Sequence, residues 1–156
     1  MTTQDPAATA RAIIDANLYM VLGTVDDRGR PWTSPVYYAP DRYRDFYWVS
    51  RPDALHSRNL ASRPHVSIVI FDSSVPIGTG QGVYMTAVAA ELTGTEREEP
   101  VRAFSRRSLE HGGHDWTVAD VEPPAELRLY RASATAHYTL GGDDRRVEVD
   151  IGTAMP

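Results

Sequence analysis

A hydroxyl, a guanidinium and an imidazole lie within seven residues of one another, at Ser50, Arg51 and His56. Between them the chain changes from an aromatic, β-branched run to a pattern with helical spacing. The free N–H groups and the dipole of a helix N-terminus favour an anion, so these residue types predict a small phosphate or carboxylate site. A capped helix with two solvated side chains fits the same residues equally well, and the sequence leaves both interpretations open.

The elements that would position this turn are two strands and a helix. Residues 46–49 predict the first strand, which Pro52 ends because proline cannot donate a ladder hydrogen bond. Asp53 is the predicted N-cap of the helix, and Pro64 marks its end. The apolar run at 65–71 predicts a second strand, buried on both faces.

A second group of candidate residues is Trp32, Thr33 and Ser34, on a strand predicted at 30–38. Pro31 and Pro35 each remove a ladder donor, which indicates an edge or bulged strand. A flat ring against these residues, with a phosphate at the Ser50 turn, would describe a flavin site.

The segment 73–82 is rich in glycine and includes Gln81 and Gly82. Its glycines would let backbone approach a ligand, although a plain flexible loop fits equally well. It lacks the strand–GxGxxG–helix context of a dinucleotide site. The strand predicted next, at 83–92, has small residues in its middle, which indicate a close neighbour: another strand or a flat ligand.

The remaining pattern is mainly that of short strands joined by hairpins. A first helix begins at Asp5-Pro6 with Ile13, Ile14 and Leu18 facing inward, and a turn begins at Pro40-Asp41. Further elements are strands at 19–25, 127–140 and 145–151 and a helix at 98–110. We therefore predict one domain over residues 1–156: a mainly β, antiparallel, six- to seven-stranded split barrel with about three short helices.

Composition narrows the function classes. The net charge of −5 predicts no nucleic-acid partner, no apolar run is long enough for a membrane span, and a cytoplasmic location is expected. There is no cysteine, and all sixteen basic residues are arginine. Thiol and Schiff-base chemistry are therefore excluded, and any bound phosphate must be met by arginine, histidine, hydroxyls or backbone amides.

Two alternative chemistries are disfavoured. His111, His114 and Asp115 could ligate a metal, but two glycines interrupt the helix that would align them, and a solvated helix end fits better. Serine, histidine and aspartate are all present, but no GxSxG elbow indicates a hydrolase. We expect no metal site and assign no catalytic residue.

The order of the segments RGRPWTSPVYY, FYWVS, HSRNLASRPHVSIVIFD and QGVYMTAVAAEL resembles the pyridoxamine-phosphate-oxidase-like split-barrel family. The similarity covers roughly residues 12–92 and lies in order and spacing rather than in one motif. It implies a homodimer that binds flavin mononucleotide (FMN), or a deazaflavin coenzyme, between its subunits.

The resemblance also implies which residues would contact the cofactor. On the first subunit these are Trp32, Thr33 and Ser34 against the ring, Val49, Ser50 and Arg51 near the ring edge and phosphate, and His56 at the phosphate. Gln81 and Gly82 would contact it from the second side. The family's Ser-Arg-Lys phosphate triplet falls on Ala54-Leu55-His56, so Ser50, Arg51, Ser57 and Arg58 are expected to substitute.

The function implied is a flavin-dependent oxidoreductase acting on a small molecule, in which the cofactor performs the hydride chemistry. The Arg-x-His substrate motif of true pyridoxamine-phosphate oxidases is absent from residues 127–156, so formation of pyridoxal phosphate is not expected. Two alternatives remain: a non-catalytic module that binds a flavin or haem, and a cofactor-free structural dimer.

Overall fold

A computed structural model describes residues 5–152 of the chain. Alternation of apolar and polar residues accounts for most of its secondary structure. The helices are α1 (Pro6–Ala16), α2 (Leu55–Ser62) and α3 (Glu98–Glu110), with short 3-10 turns at Gly94–Arg97 and Val118–Val121. The strands are β1 (Tyr19–Val25), β2 (Pro31–Tyr37), β3 (Ala39–Asp41), β4 (Asp45–Ser50), β5 (His65–Phe71), β6 (Gly82–Glu91), β7 (Arg128–Leu140) and β8 (Arg146–Glu148).

These strands form one curled antiparallel sheet, a half-barrel in the order β2-β1-β5-β6-β7-β4-β3, with β8 paired to the end of β7. The predicted fold class is confirmed. β2 lies at an edge, as Pro31 and Pro35 required, because its only ladder in the described chain is with β1. Within residues 5–152 no helix is long and apolar enough to cross a membrane.

The inner face of the sheet is filled by large side chains. Phe46 and Trp48 from β4 and Met20 and Leu22 from β1 are fully buried there, and Ile14 of α1 joins the same cluster. A second cluster lies beneath α3, around Phe104, Leu129 and Val121. Burial on one face only is what the period-two pattern of β1 dictates.

The outer face remains exposed, and two expectations are corrected there. β5 is buried on one face only, because Val66, Ile68 and Ile70 point inward while Phe71 points outward with 47% of its surface exposed. Leu18 does not join the inward stripe of α1: it follows the helix and is 41% exposed, since α1 ends at Ala16.

The hairpin between β3 and β4 contains one strand that was not predicted. Pro40 and Asp41, where a turn was expected to begin, belong to β3, and the turn itself begins at Asp41, whose carbonyl accepts from the Arg44 N–H at 3.2 Å. The reversal uses Arg42 and Tyr43, whose φ angles of 53° and 57° place both in the left-handed region. The last strand covers only Arg146–Glu148 rather than 145–151.

A buried hydrogen bond fixes α2 against the sheet. Asn59, 5% exposed, donates from Nδ2 to Thr24 Oγ1 of β1 at 3.1 Å, and the Thr24 hydroxyl donates to the carbonyl of Trp32 at 3.4 Å. A helix residue is thus linked through β1 to β2.

We expect Asn59→Ala to lower the free energy of unfolding by about 1–3 kcal/mol, because it removes a buried hydrogen bond and its amide. Urea denaturation measures the change, and Ser62→Ala, at an exposed position of the same helix, is the control. A loss for Asn59→Ala no larger than that for Ser62→Ala would contradict the assigned role.

Candidate functional site

A shallow groove of about 390 Å³ crosses the outer face of the sheet. Its floor is a row of residues that the strand register places side by side: Thr33 opposite Gly23, Gly23 opposite Ser67, and Ser67 opposite Thr86. Antiparallel partners point to the same face, so three hydroxyls and one glycine line the groove from β2 to β6.

The row ends at a bulge in β7. The register between β6 and β7 shifts after Thr86, and the additional residue on β7 is Thr135. The two threonine hydroxyls lie 2.7 Å apart, and Thr135 also donates to the carbonyl of Thr86 at 3.0 Å. The groove therefore offers hydrogen-bonding groups on a surface without ionisable side chains at its centre.

Gly23 keeps this floor flat. A Cβ atom at position 23 would approach the Ser67 hydroxyl to 2.4 Å, so a larger residue would push Ser67 out of place. A flat floor edged by hydroxyls can bind a planar ring through its face and its heteroatoms.

Of the predicted ring contacts, the structure places Trp32 and Thr33 in the lining of the groove. Trp32 is 50% exposed, and its carbonyl accepts the hydrogen bond from Thr24. Ser34 is half-buried opposite Leu22 and lies outside that lining.

Beyond the end of β4, Ser50 and His56 come together as predicted. His56 Nε2 and Ser50 Oγ are 2.9 Å apart, and both residues are half-buried. Burial lowers the pKa of His56 below its ordinary value, because desolvation penalises the imidazolium. Val49, which precedes Ser50, is half-buried against the cluster beneath α3.

Arg51 is engaged by two carboxylates. Its guanidinium is 3.0 Å from Asp53 Oδ1 and 2.9 Å from Glu126 Oε2. The predicted N-cap role of Asp53 is wrong: Ala54 is the N-cap, and α2 has no side-chain cap. The Asp53 carboxylate binds Arg51 instead, so the N–H groups of the first turn of α2 lack a side-chain acceptor.

Gln81 and Gly82 lie at a different cavity, about 340 Å³ in volume, beside Phe71 and Tyr84. The Gln81 side chain joins two strands: its Oε1 accepts from the N–H groups of Gly82 and Leu140, and its Nε2 donates to the Leu140 carbonyl at 2.9 Å. Within one chain Gln81 and Gly82 therefore lie outside the lining of the groove, and their contact with a cofactor from the second side stays a prediction.

Ser57 faces another direction from His56. It is 3% exposed, and its hydroxyl has no hydrogen-bond partner among the described residues. With Tyr130 it lines a cavity of about 460 Å³ between α2 and the ends of β6 and β7.

Sequence reasoning missed Gly23, Ser67 and Thr135 as groove residues. Thr86 lies in the run of small residues on β6 that indicated a close neighbour, so part of the signal was present. Ser67 was hidden inside a strand interpreted as buried, and Thr135 depends on a bulge that the pattern of β7 does not reveal.

His111 and His114 have separate partners. His111 Nδ1 lies 2.8 Å from the hydroxyl of Tyr37, and His114 Nε2 lies 3.4 Å from Asp120. In the described part of the chain no three histidine, aspartate or glutamate side chains are grouped to hold a metal ion.

We predict that His56 titrates below its ordinary pKa of ~6.5 in the free protein, and that inorganic phosphate or FMN raises this value by opposite charge. The contribution of neutral His56 to the free energy of unfolding is then present above pH ~6.5, and it is lost as the pH falls through the lower pKa of the folded state. Ring resonances in NMR spectra measure both values, with His56→Gln for assignment. A His56 pKa at or above 6.5 without ligand would contradict the burial argument.

Comparison with known proteins identifies the fold. A heme binding protein from Mycobacterium smegmatis aligns with 98% of this chain over 61% of its own length, with 22% sequence identity and a TM-score of 0.71. It aligns over 80% of its length with 86% of HutZ, the heme storage protein from Vibrio cholerae (18% identity, TM-score 0.63). An F420 reductase aligns with 82% of this chain over 94% of its own length (20% identity, TM-score 0.60).

At these identities the structural matches establish the fold alone, and the chain spans about three-fifths of the Mycobacterium protein. None of the curated protein sequences compared with the chain is significantly similar to it. The family model of pyridoxamine 5'-phosphate oxidase, in contrast, matches residues 7–140. The chain therefore belongs to the pyridoxamine 5'-phosphate oxidase family.

Proposed function

We propose that this protein is a flavin-dependent oxidoreductase that binds FMN, or a deazaflavin, with the ring in the groove and the phosphate toward α2. The observation that carries the proposal is the flat floor formed by Gly23 and the hydroxyls of Thr33, Ser67 and Thr86. Thr24, in the same lining, is bonded to Asn59 of α2, so the groove and that helix form one unit.

The residues present fit such a cofactor. Gly23 leaves room for the Ser67 hydroxyl in the floor, and the first turn of α2 has no side-chain cap beside the Ser50–His56 pair. When bound, the flavin supplies the hydride chemistry. The protein would orient the ring through the threonine row and exclude water from one of its faces.

The proposal is tested by titrating the protein with FMN and then adding a nicotinamide donor without oxygen. We expect saturable quenching of flavin fluorescence, followed by donor-dependent loss of the flavin absorption. Absence of FMN binding would contradict the proposal. Binding without reduction by nicotinamide or other donors would favour a non-catalytic flavin module.

The ion pairs of Arg51 provide a sharper test of the phosphate position. If Arg51 binds the phosphate, the phosphate must compete with the carboxylates of Asp53 and Glu126 for the guanidinium. We expect Arg51→Ala to weaken FMN binding about tenfold or more, because it removes a charge-assisted hydrogen bond. We expect Asp53→Asn to strengthen FMN binding, because it removes a carboxylate that competes for Arg51. Calorimetry measures both affinities. Equal affinity for wild type and both variants would place the phosphate elsewhere.

We further propose that two copies pair through the outer face. Val69, Phe71, Tyr84 and Val88 leave apolar surface exposed there, and an isologous dimer is the common way to bury such a face. The cavity at Gln81 would then face the groove of the second copy, which is where the resemblance puts this residue.

We expect Val69→Arg, at the centre of this face, to convert a dimer into monomers and to weaken FMN binding at the same time. The control is Leu109→Arg, because Leu109 is 52% exposed on α3, away from the face. Light scattering at micromolar concentration reports the mass. A wild-type monomer, or a Val69→Arg dimer that binds FMN normally, would contradict the shared site.

Haem binding is the second candidate function. Two of the structurally similar proteins bind or store heme, and the exposed His65 lines the groove as a potential iron ligand. Titration with hemin distinguishes the two functions: a sharp Soret band that His65→Ala abolishes, in a protein that does not bind FMN, would favour haem.

A further inference from the structure

A further cavity, of about 650 Å³, lies where the half-barrel is split. Along one edge of β7, pairing with β4 ends at Ser133 and pairing with β8 begins at Tyr138. Between them the Ala134 N–H donates to the Arg44 carbonyl at 2.8 Å, and the His137 carbonyl accepts from the Val149 N–H at 2.9 Å. Pairing on that edge is interrupted at Thr135 and Ala136, and the cavity opens there. It is bounded on one side by the β3–β4 turn and on the other by β8 and the residues after it.

The two sides carry opposite charges. Arg42 and Arg44 lie on the turn, and Glu148 and Asp150 lie on the facing side. Within residues 5–152 no ion pair joins the two sides: Arg44 is 3.5 Å from its neighbour Asp45, and Arg42 has no carboxylate within 4.0 Å. Charges of opposite sign that face each other across one cavity without pairing with each other match a ligand that carries both signs.

The turn that holds Arg42 has a strained backbone conformation. The Arg44 N–H donates to the Asp41 carbonyl at 3.2 Å, and Arg42 and Tyr43 both have positive φ, which is a type I′ turn. Asparagine and glycine normally occupy these positions, because other side chains are strained there. Tyr43 has structural contacts that explain its presence: its hydroxyl donates to Asp15 at 2.8 Å, and its carbonyl accepts from His137 at 2.7 Å. Arg42 has no such contact.

The floor between the charged sides carries small and apolar residues together with Thr135 and His137 of β7, and it leads to the groove. Ala134, Ala136, Val149 and Ile151 lie in the lining of the cavity, and Thr135 lines both the cavity and the groove. A ligand in the cavity would therefore lie next to whatever occupies the groove.

We propose that this cavity, the split pocket, binds the substrate, and that the substrate class is a zwitterion with an apolar body. Its anionic group would lie at Arg42 and its cationic group at Glu148 and Asp150. The assignment as a substrate pocket rests on the proposed flavin function, whereas the ligand class rests on the pocket alone.

The ligand class is tested on the cofactor-free protein with three probes that share a benzene ring. L-phenylalanine carries both charges, phenylpropionate only the anion and phenethylamine only the cation. NMR titration, followed at His137 and Thr135, reports binding in the pocket. We expect L-phenylalanine to bind at least tenfold more tightly than either control. Equal affinities, or shifts elsewhere only, would overturn the proposal.

Variants separate binding from folding. Arg42→Asn is expected to raise the melting temperature, because asparagine tolerates the left-handed turn, and to reduce L-phenylalanine affinity about tenfold. Asp150→Asn should reduce affinity for L-phenylalanine but leave that for phenylpropionate unchanged. Arg28→Asn, in the exposed hairpin between β1 and β2, is the control. An Arg42→Asn protein that binds L-phenylalanine like wild type would refute the role of Arg42.

The outcomes distinguish this proposal from the flavin function. FMN binding without L-phenylalanine binding would leave the flavin function standing and overturn the split pocket. L-phenylalanine binding without FMN binding would retain the zwitterion site and overturn its assignment as a substrate pocket.

Discussion

The inside of this half-barrel is filled by aromatic side chains, and that packing determines what the outside can do. Trp48, Tyr38 and Phe46 are fully buried on the concave face, together with Met20 and Leu22. Because side chains alternate along each strand, filling the inner face with large residues assigns the intervening small and polar residues to the outer face. The flat groove is therefore the reverse side of the core.

Helix α2 connects this sheet to the chemistry at its end. Asn59 is bonded to Thr24, and Thr24 to the carbonyl of Trp32, so the helix cannot move independently of β1 and β2. The N-terminus of α2 lacks a side-chain cap because Asp53 is paired with Arg51. An uncapped helix end on a helix that is hydrogen-bonded to the sheet is a preorganised position for an anionic group.

Much of the fold was predictable from sequence, since β1, β5 and α3 have the predicted bounds. The errors have physical causes. The β3–β4 reversal uses Arg42 and Tyr43, which carry no turn signature, and tertiary contacts of Tyr43 override local preference. Asp53 has the composition of an N-cap, but a guanidinium two residues away competes for its carboxylate.

The candidate site was predicted less completely than the fold. The sequence singled out Trp32, Thr33, Ser50 and His56 because each lies near a strand or helix boundary that it marks. The structure places the first two in the groove lining and joins the other two by a contact of 2.9 Å. Ser67 and Thr135 were missed because their exposure depends on which face each strand presents and on one bulge. Those features arise from pairing between distant segments, which a single sequence does not display.

Native mass spectrometry of the protein as purified, recorded with its visible spectrum, tests whether this protein binds a flavin. We expect one FMN or deazaflavin mass per chain, bound to a dimer, with the corresponding flavin-type absorption. An iron porphyrin mass with a Soret band, or a chain that remains ligand-free after FMN is added in excess, would contradict it.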